Sequence, residues 1–137
     1  MKKLIFFTAF IMMSAAIFGQ TLQKGNLIGT HEMNITLVPG ITTDQFVEFY
    51  TNKLIPEFEK SLPGWKYYLV KSIRGEIQDS YGLIIVIKSE KDRDKYYNSD
   101  GSPTELQNSA NKKLEPILKE FEKYGTVTTT YTDWLIL

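Results

Sequence analysis

The stretch Leu83-Ile84-Ile85-Val86-Ile87 places five consecutive large apolar residues inside the segment 81–88. Side chains of a β-strand alternate between its two faces, so this strand is apolar on both faces and needs cover on both sides. The preceding segment 65–77 is rich in Tyr, Val, Leu and Ile, and Gln78-Asp79-Ser80 has the composition of a turn. The sequence therefore predicts a hairpin whose second strand is buried on both faces.

The segment before this hairpin is predicted to form a strand and a helix. Residues 27–38 alternate apolar and polar side chains, which indicates a strand with one apolar face. Thr42, with Gln45 three positions later, has the pattern of a capping box at a helix N-terminus. Pro56 is expected to kink or divide this helix, because proline lacks the backbone N–H that a helix interior needs. The predicted apolar stripe of the helix consists of Phe46, Phe49, Tyr50, Leu54, Phe58 and Leu62.

The segment after the hairpin is predicted to form a short helix, a longer helix and a final strand. Ser89 is expected to cap the short helix, which extends through Tyr97. The longer helix extends from Thr104 to Gly125, and the threonine-rich segment 126–137 has the composition of a strand. The predicted apolar stripe of the longer helix consists of Leu106, Ala110, Leu114, Ile117, Leu118 and Phe121.

This order of elements predicts an α+β fold of the ferredoxin-like βαββαβ type. Right-handed crossovers place the first and third strands in the middle of an antiparallel sheet, with both helices on one of its faces. The other face then lacks cover, and an exposed apolar patch of this kind usually marks an interaction surface. We therefore expect a second copy to pack sheet against sheet, giving a homodimer with a barrel-like centre. Pro56 and Pro116 occupy matching positions in two short similar segments, which favours a duplicated βαβ unit.

Two local segments add a family resemblance to this order of elements. Pro63-Gly64-Trp65 follows the first helix, and Ser89-Glu90 with Tyr96 is similar to a Ser-Glu-x-x-x-x-x-Tyr helix. From residue 20 onward the chain resembles the dimeric α/β-barrel superfamily, in particular its antibiotic-biosynthesis-monooxygenase-like and NIPSNAP-like small proteins. The resemblance implies a ferredoxin-like domain in a dimeric barrel. Its motifs are structural, and one fold hosts many functions, so they specify no chemistry.

The first nineteen residues have the three parts of a secretory signal peptide: Lys2 and Lys3, an apolar run, and small residues that end at Gly19. The apolar run is shorter than the about 20 residues of a membrane-spanning helix, which favours cleavage over a retained anchor. We expect cleavage after Gly19, with Ala16 as the alternative last residue of the leader. The sequence thus predicts an exported protein, periplasmic or secreted, with a signal peptide at 1–19, an N-terminal extension at 20–26 and one domain at 27–137.

The composition excludes several classes of protein. The chain has no cysteine, so disulfides, thiol catalysis, zinc–thiolate sites, iron–sulfur clusters and a lipid-anchored form are all excluded. Its 16 basic and 16 acidic residues include no basic cluster, which argues against nucleic acid as a partner. Once the leader is removed, no membrane association is expected, since the chain has no basic amphipathic helix. No cofactor and no metal site are predicted.

The predicted ligand-binding residues are Glu32, Asn34, Tyr68 and Arg74. Glu32 and Asn34 belong to the polar face of the first strand, which would point into the centre of the dimer. Tyr68 and Arg74 share one face of the predicted second strand and would complete a pocket with few convergent polar groups. The alternative is a polar interface satisfied across the two-fold axis, for example by a pair between Glu32 and Arg74.

Glu32 and His31 are the catalytic candidates. Glu32 would act as a general base if burial raised its pKa. His31, the only histidine, is expected at the rim of the core beside Met33. It could serve as a haem ligand or general base, or it could be a structural residue near a strand end. Haem is disfavoured, because the axial histidine of haem-degrading members of the superfamily lies on a helix and no predicted helix here carries one.

Three functions remain open at this point. The first is an exported, soluble homodimer that binds a small, partly apolar molecule in the barrel centre. The family resemblance implies the second, a cofactor-independent monooxygenase acting on an aromatic substrate. The third is a non-catalytic structural or interaction module, whose centre would be filled by side chains.

Overall fold

The computed structural model describes residues 21–137, so the predicted signal peptide at 1–19 lies outside the described residues. The strands of the described part are β1 (Leu27–Leu37), β2 (Trp65–Lys71), β3 (Tyr81–Ile87) and β4 (Gly125–Leu135). They form a four-stranded antiparallel sheet with the order β2-β3-β1-β4. The first and third strands occupy the middle of the sheet, as the element order predicts. The α+β architecture is consistent with the ferredoxin-like class.

The helices of the described part are α1 (Thr43–Phe49), a π-helical turn (Tyr50–Leu54), α2 (Ile55–Ser61), α3 (Glu90–Arg93) and α4 (Glu105–Phe121). The predicted capping box begins α1, where Thr42 and Gln45 bond to each other's backbone N–H. The π-helical turn directly precedes Pro56, and the Ile55 N–H bonds to the carbonyl of Tyr50, five positions earlier. The expected division of the helix at Pro56 is confirmed.

The core lies between the helices and one face of the sheet. Phe46 and Leu54 are the largest fully buried side chains, and Phe121 of α4 contacts the Phe46 ring at a centroid distance of 5.5 Å. The buried strand residues that face them stand at odd-numbered positions, as the period-two alternation of a strand requires. We call this side of the sheet the helix face. Its buried strand residues are Leu27, Met33, Trp65, Tyr67, Leu83, Ile85 and Ile87.

The end of β2 differs from the sequence-based prediction of a strand through Ile77. Beyond Lys71 the hairpin has two more hydrogen bonds, from the Ser72 N–H to the Ser80 carbonyl at 2.8 Å and from the Asp79 N–H to the Ser72 carbonyl at 3.0 Å, and residues 73–79 form a loop. Gly75 (φ 110°) and Asp79 (φ 64°) have left-handed backbone angles, which a strand does not accommodate. Arg74 and Ile77 therefore lie in a hairpin loop rather than on a strand.

Three other details also differ from prediction. Leu106 and Leu118 of the predicted α4 stripe are exposed, whereas Gln107 is buried, because the side facing the core follows positions 107, 110, 114, 117 and 121. Pro116 lies inside a continuous α4 and does not divide it as Pro56 divides the first helical segment. The short helix ends at Arg93 rather than Tyr97.

Substitutions of one buried and one exposed leucine test which side chains form the core. Leu54 is 1 % exposed and Leu106 is 49 % exposed. We expect Leu54→Ala to lower the free energy of unfolding by about 2–5 kcal/mol, because it removes buried methyl groups and leaves a cavity. The matched variant Leu106→Ala should cost about 1 kcal/mol or less. Urea unfolding of both variants measures the difference, and equal losses would contradict the assignment.

Candidate functional site

The second side of the sheet, which we call the open face, is formed by the even-numbered strand residues. No helix of the described part packs on it. Its composition is divided: one end is apolar and aromatic, and the other end is rich in threonine. The open face consists of Ile28, Thr30, Glu32, Asn34 and Thr36 on β1, Lys66, Tyr68 and Val70 on β2, Gly82, Ile84 and Val86 on β3, and Thr126, Thr128, Thr130, Thr132 and Trp134 on β4.

The centre of the open face contains an open depression with a volume of about 400 Å³. It arises where Gly82 stands between Val70 and Glu32 in the strand register. A Cβ atom at Gly82 would lie 3.0 Å from the His31 carbonyl oxygen and 3.4 Å from Val70 Cγ2, so a side chain here would crowd its neighbours. The open-face and loop residues that line the depression are Thr30, Glu32, Val70, Ile77, Ile84, Thr130 and Thr132; His31, Leu83 and Tyr131 also border it.

Among residues 21–137, Glu32 supplies the only charged side chain of this lining. It is exposed and stands directly opposite Thr130 on β4. Within the described part of the chain, its carboxylate has no hydrogen bond or ion pair. The Thr30 hydroxyl is occupied, since it donates to the Thr132 carbonyl and accepts the Trp134 Nε1–H at 3.0 Å. The depression thus combines a free carboxylate and threonine hydroxyls with an apolar wall of Val70, Ile77 and Ile84.

The other predicted ligand-binding residues are spread around this depression. Asn34 and Tyr68 lie on the open face but do not line the depression, and Tyr68 is 48 % exposed. Arg74 is exposed in the hairpin loop, three positions before Ile77. No contact within the described chain joins Arg74 to Glu32. Of the four predicted ligand-binding residues, Glu32 therefore lines the depression. Asn34, Tyr68 and Arg74 lie outside its lining.

His31 lies on the helix face, half-buried at the edge of the core. Its ring stacks on the exposed ring of Tyr131 at a centroid distance of 5.4 Å. Burial lowers the pKa of His31 below its usual value, and the nearby Asp133 carboxylate opposes this to a smaller degree. Asp133 is itself paired with Arg93 at 3.6 Å. The imidazole and the Glu32 carboxylate are therefore on opposite sides of the sheet and do not form one catalytic pair.

Thr130, Thr132 and the loop residue Ile77 line the depression but were not predicted from the sequence as site residues. Thr130 and Thr132 belong to a strand whose alternating threonines, 126 to 132, were visible in the sequence. Their position beside Glu32 depends on the register between β1 and β4, which no local pattern encodes. Ile77 was assigned to a strand, although it approaches the open face from the hairpin loop.

Residues 21–137 contain no group of three or more His, Asp or Glu side chains that could hold a metal ion. No helix in this part of the chain is long and apolar enough to cross a membrane. No protein-family model matches the sequence, and no curated protein matches it either. The geometry of the open face is therefore the feature from which a function can be inferred.

The pKa of His31 leads to a prediction for stability. The unfolded chain has the ordinary histidine pKa of 6.5, and the folded chain has a lower one. Between these two values the unfolded state binds more protons, so stability should decrease as the pH falls below about 6.5. The slope should correspond to less than one proton, and His31→Gln should remove it.

Urea unfolding midpoints of both proteins between pH 7 and 5 measure this effect. The carboxyl groups of Asp92 and Asp100 have lowered pKa values, so their contribution is lost only in more acidic solution. An unchanged slope in the His31→Gln variant would contradict the assignment to His31.

Proposed function

We propose that this protein is exported and acts as a homodimer that binds a small, partly apolar molecule between the open faces of two copies. The observation that carries the proposal is the depression around Gly82, with one free carboxylate, threonine hydroxyls and an apolar wall. Concave sites with an apolar lining and a few polar groups are typical of small-molecule binding. On one copy the depression is open to solvent, and a second sheet would close it.

The exposed side chains of the open face support a protein partner. Tyr68, Val70 and Trp134 are each more than a third exposed on a single sheet face, and Ile77 adds to them from the loop. Exposed large apolar side chains on one sheet face mark a candidate interaction surface. Aromatic residues are also enriched in the centres of interfaces.

The charge of the open face supports a second copy as that partner. Lys66 is paired with Glu59 of α2 at 2.5 Å, which leaves Glu32 as the only unpaired charged side chain that the described residues place on the face. A strongly basic or acidic partner would find little complementary charge there. A second copy presents the same nearly uncharged, hydroxyl-rich and aromatic surface, which suits an isologous two-fold interface.

In such a dimer, the residues around the depression would come close to the bound molecule. Asn34 and Tyr68 project from the same face, and Arg74 extends from the loop that carries Ile77. We therefore retain Glu32, Asn34, Tyr68 and Arg74 as the ligand-binding residues of the proposed assembly. Thr130 and Thr132 join them.

The first test concerns the dimer. We expect the protein to be a dimer at micromolar concentration by light scattering. Tyr68→Lys should raise the dissociation constant at least about tenfold, because it places two like charges in a two-fold interface. The control Leu118→Lys changes an exposed apolar residue of α4, away from the open face, and should leave the dimer intact. A monomeric wild-type protein, or equal effects of both variants, would contradict the proposal.

The second test concerns the ligand. We expect protein isolated from the cells that make it to carry a small molecule, detected by native mass spectrometry and identified after denaturation. Glu32→Ala and Arg74→Ala should each lower the retained fraction several-fold. The control Glu120→Ala removes an exposed carboxylate from α4 and should retain the molecule. A wild-type dimer that carries no small molecule would contradict ligand binding and support the third function, a non-catalytic structural or interaction module.

A further inference from the structure

The charge inside the depression limits what the proposed dimer can enclose. Glu32 carries the only formal charge that the described residues contribute to the lining, and closing a second sheet over it would remove water from its carboxylate. An enclosed carboxylate without a counter-charge is strongly unfavourable. A positive group beside Glu32 would offset this cost in the closed state.

Three cations of the strands and of α3 are engaged in other pairs, and Lys88, which follows β3, does not line the depression. Lys66 pairs with Glu59 at 2.5 Å, and Lys71 pairs with Asp79 at 3.1 Å. Arg93 bonds to Asp94 and Asp133 on the helix side. Arg74 has no side-chain partner within the described residues, but it does not line the depression. Within the described chain, no basic side chain is placed against Glu32.

The hydrogen-bonding groups beside Glu32 fit a cation with several N–H donors. Thr130 stands directly opposite Glu32, and neither the Thr130 nor the Thr132 hydroxyl makes a hydrogen bond within the described chain. An ammonium group has three donors and no acceptor, which matches this set of acceptors, a carboxylate and two hydroxyl oxygens. The apolar wall of Ile84, Val70 and Ile77 would receive the rest of the molecule.

We propose that the ligand of this site is a small primary amine, whose ammonium group pairs with Glu32 and whose apolar body packs against Ile84 and Ile77. This inference rests on the proposed function, since it assigns a chemical class to the ligand of the same site. A carboxylate ligand is disfavoured, because it would place a second negative charge beside Glu32.

The test compares three probes of equal length: hexylamine, hexanol and hexanoate, titrated calorimetrically into the protein at pH 7. We expect hexylamine to bind at least about tenfold more tightly than hexanol, and hexanoate to bind most weakly. Glu32→Gln should abolish the preference for the amine and leave hexanol binding unchanged. The control Glu120→Gln should keep the preference.

A variant of Arg74 distinguishes the two groups that could supply the positive charge beside Glu32, which are the amine and Arg74 of the second copy. If the amine provides the counter-charge, Arg74→Gln should lower the affinities for hexylamine and hexanol alike and keep the preference for hexylamine. A tenfold gain in the hexylamine affinity of this variant would mean that Arg74 of the second copy pairs with Glu32 in the absence of ligand. That outcome overturns the proposal. The proposal is also overturned if hexanol or hexanoate binds as tightly as hexylamine, or if Glu32→Gln keeps the preference.

Light scattering on the same samples distinguishes failure of the amine as ligand from failure of the proposed function. A dimer that binds hexanol or hexanoate without a preference for the amine overturns the amine as ligand and leaves the proposed binding function standing. A dimer that binds none of the probes overturns the amine and supports the structural module. A monomer that binds none of them overturns both the assembly and the ligand class.

Discussion

The helices of the described chain cover only one side of a sheet whose central strand β3 is apolar on both sides. Leu83, Ile85 and Ile87 point into the core, whereas Ile84 and Val86 point to the open face. The same alternation runs through all four strands, so the open face has no helical cover from the described part of the chain. The proposed dimer and ligand site both depend on this asymmetry.

The strand register determines the chemistry of that surface. Gly82 provides room in the middle of the open face, Glu32 provides one charge beside it, and Thr130 provides a hydroxyl opposite the charge. A shift of the register by one residue would turn every side chain of a strand to the other face and remove the depression. His31, one position before Glu32, illustrates this alternation: its ring stacks on Tyr131 on the helix face.

Local patterns predicted most elements of the fold and only part of the site. The alternation in β1, the capping box at Thr42 and the break at Pro56 were predictable because each depends on neighbours a few residues away. The end of β2 was not, because left-handed backbone angles at Gly75 and Asp79 place Ile77 in the loop between them. Leu106 and Leu118 were wrongly predicted to face the core. An apolar side chain on a helix does not reveal how wide the part of the helix surface in contact with the core is.

By itself, the sequence determined the order of elements, the central position of β1 and β3, the absence of cysteine chemistry and the candidate Glu32. Periodicity, capping and composition are local properties, and they suffice for these conclusions. Only the tertiary structure decided that Glu32 shares a depression with Thr130 and Ile77, that Arg74 lies in a loop and that His31 is on the opposite side. These relations join residues from β1, β4 and a hairpin loop, whose approach depends on long-range strand pairing.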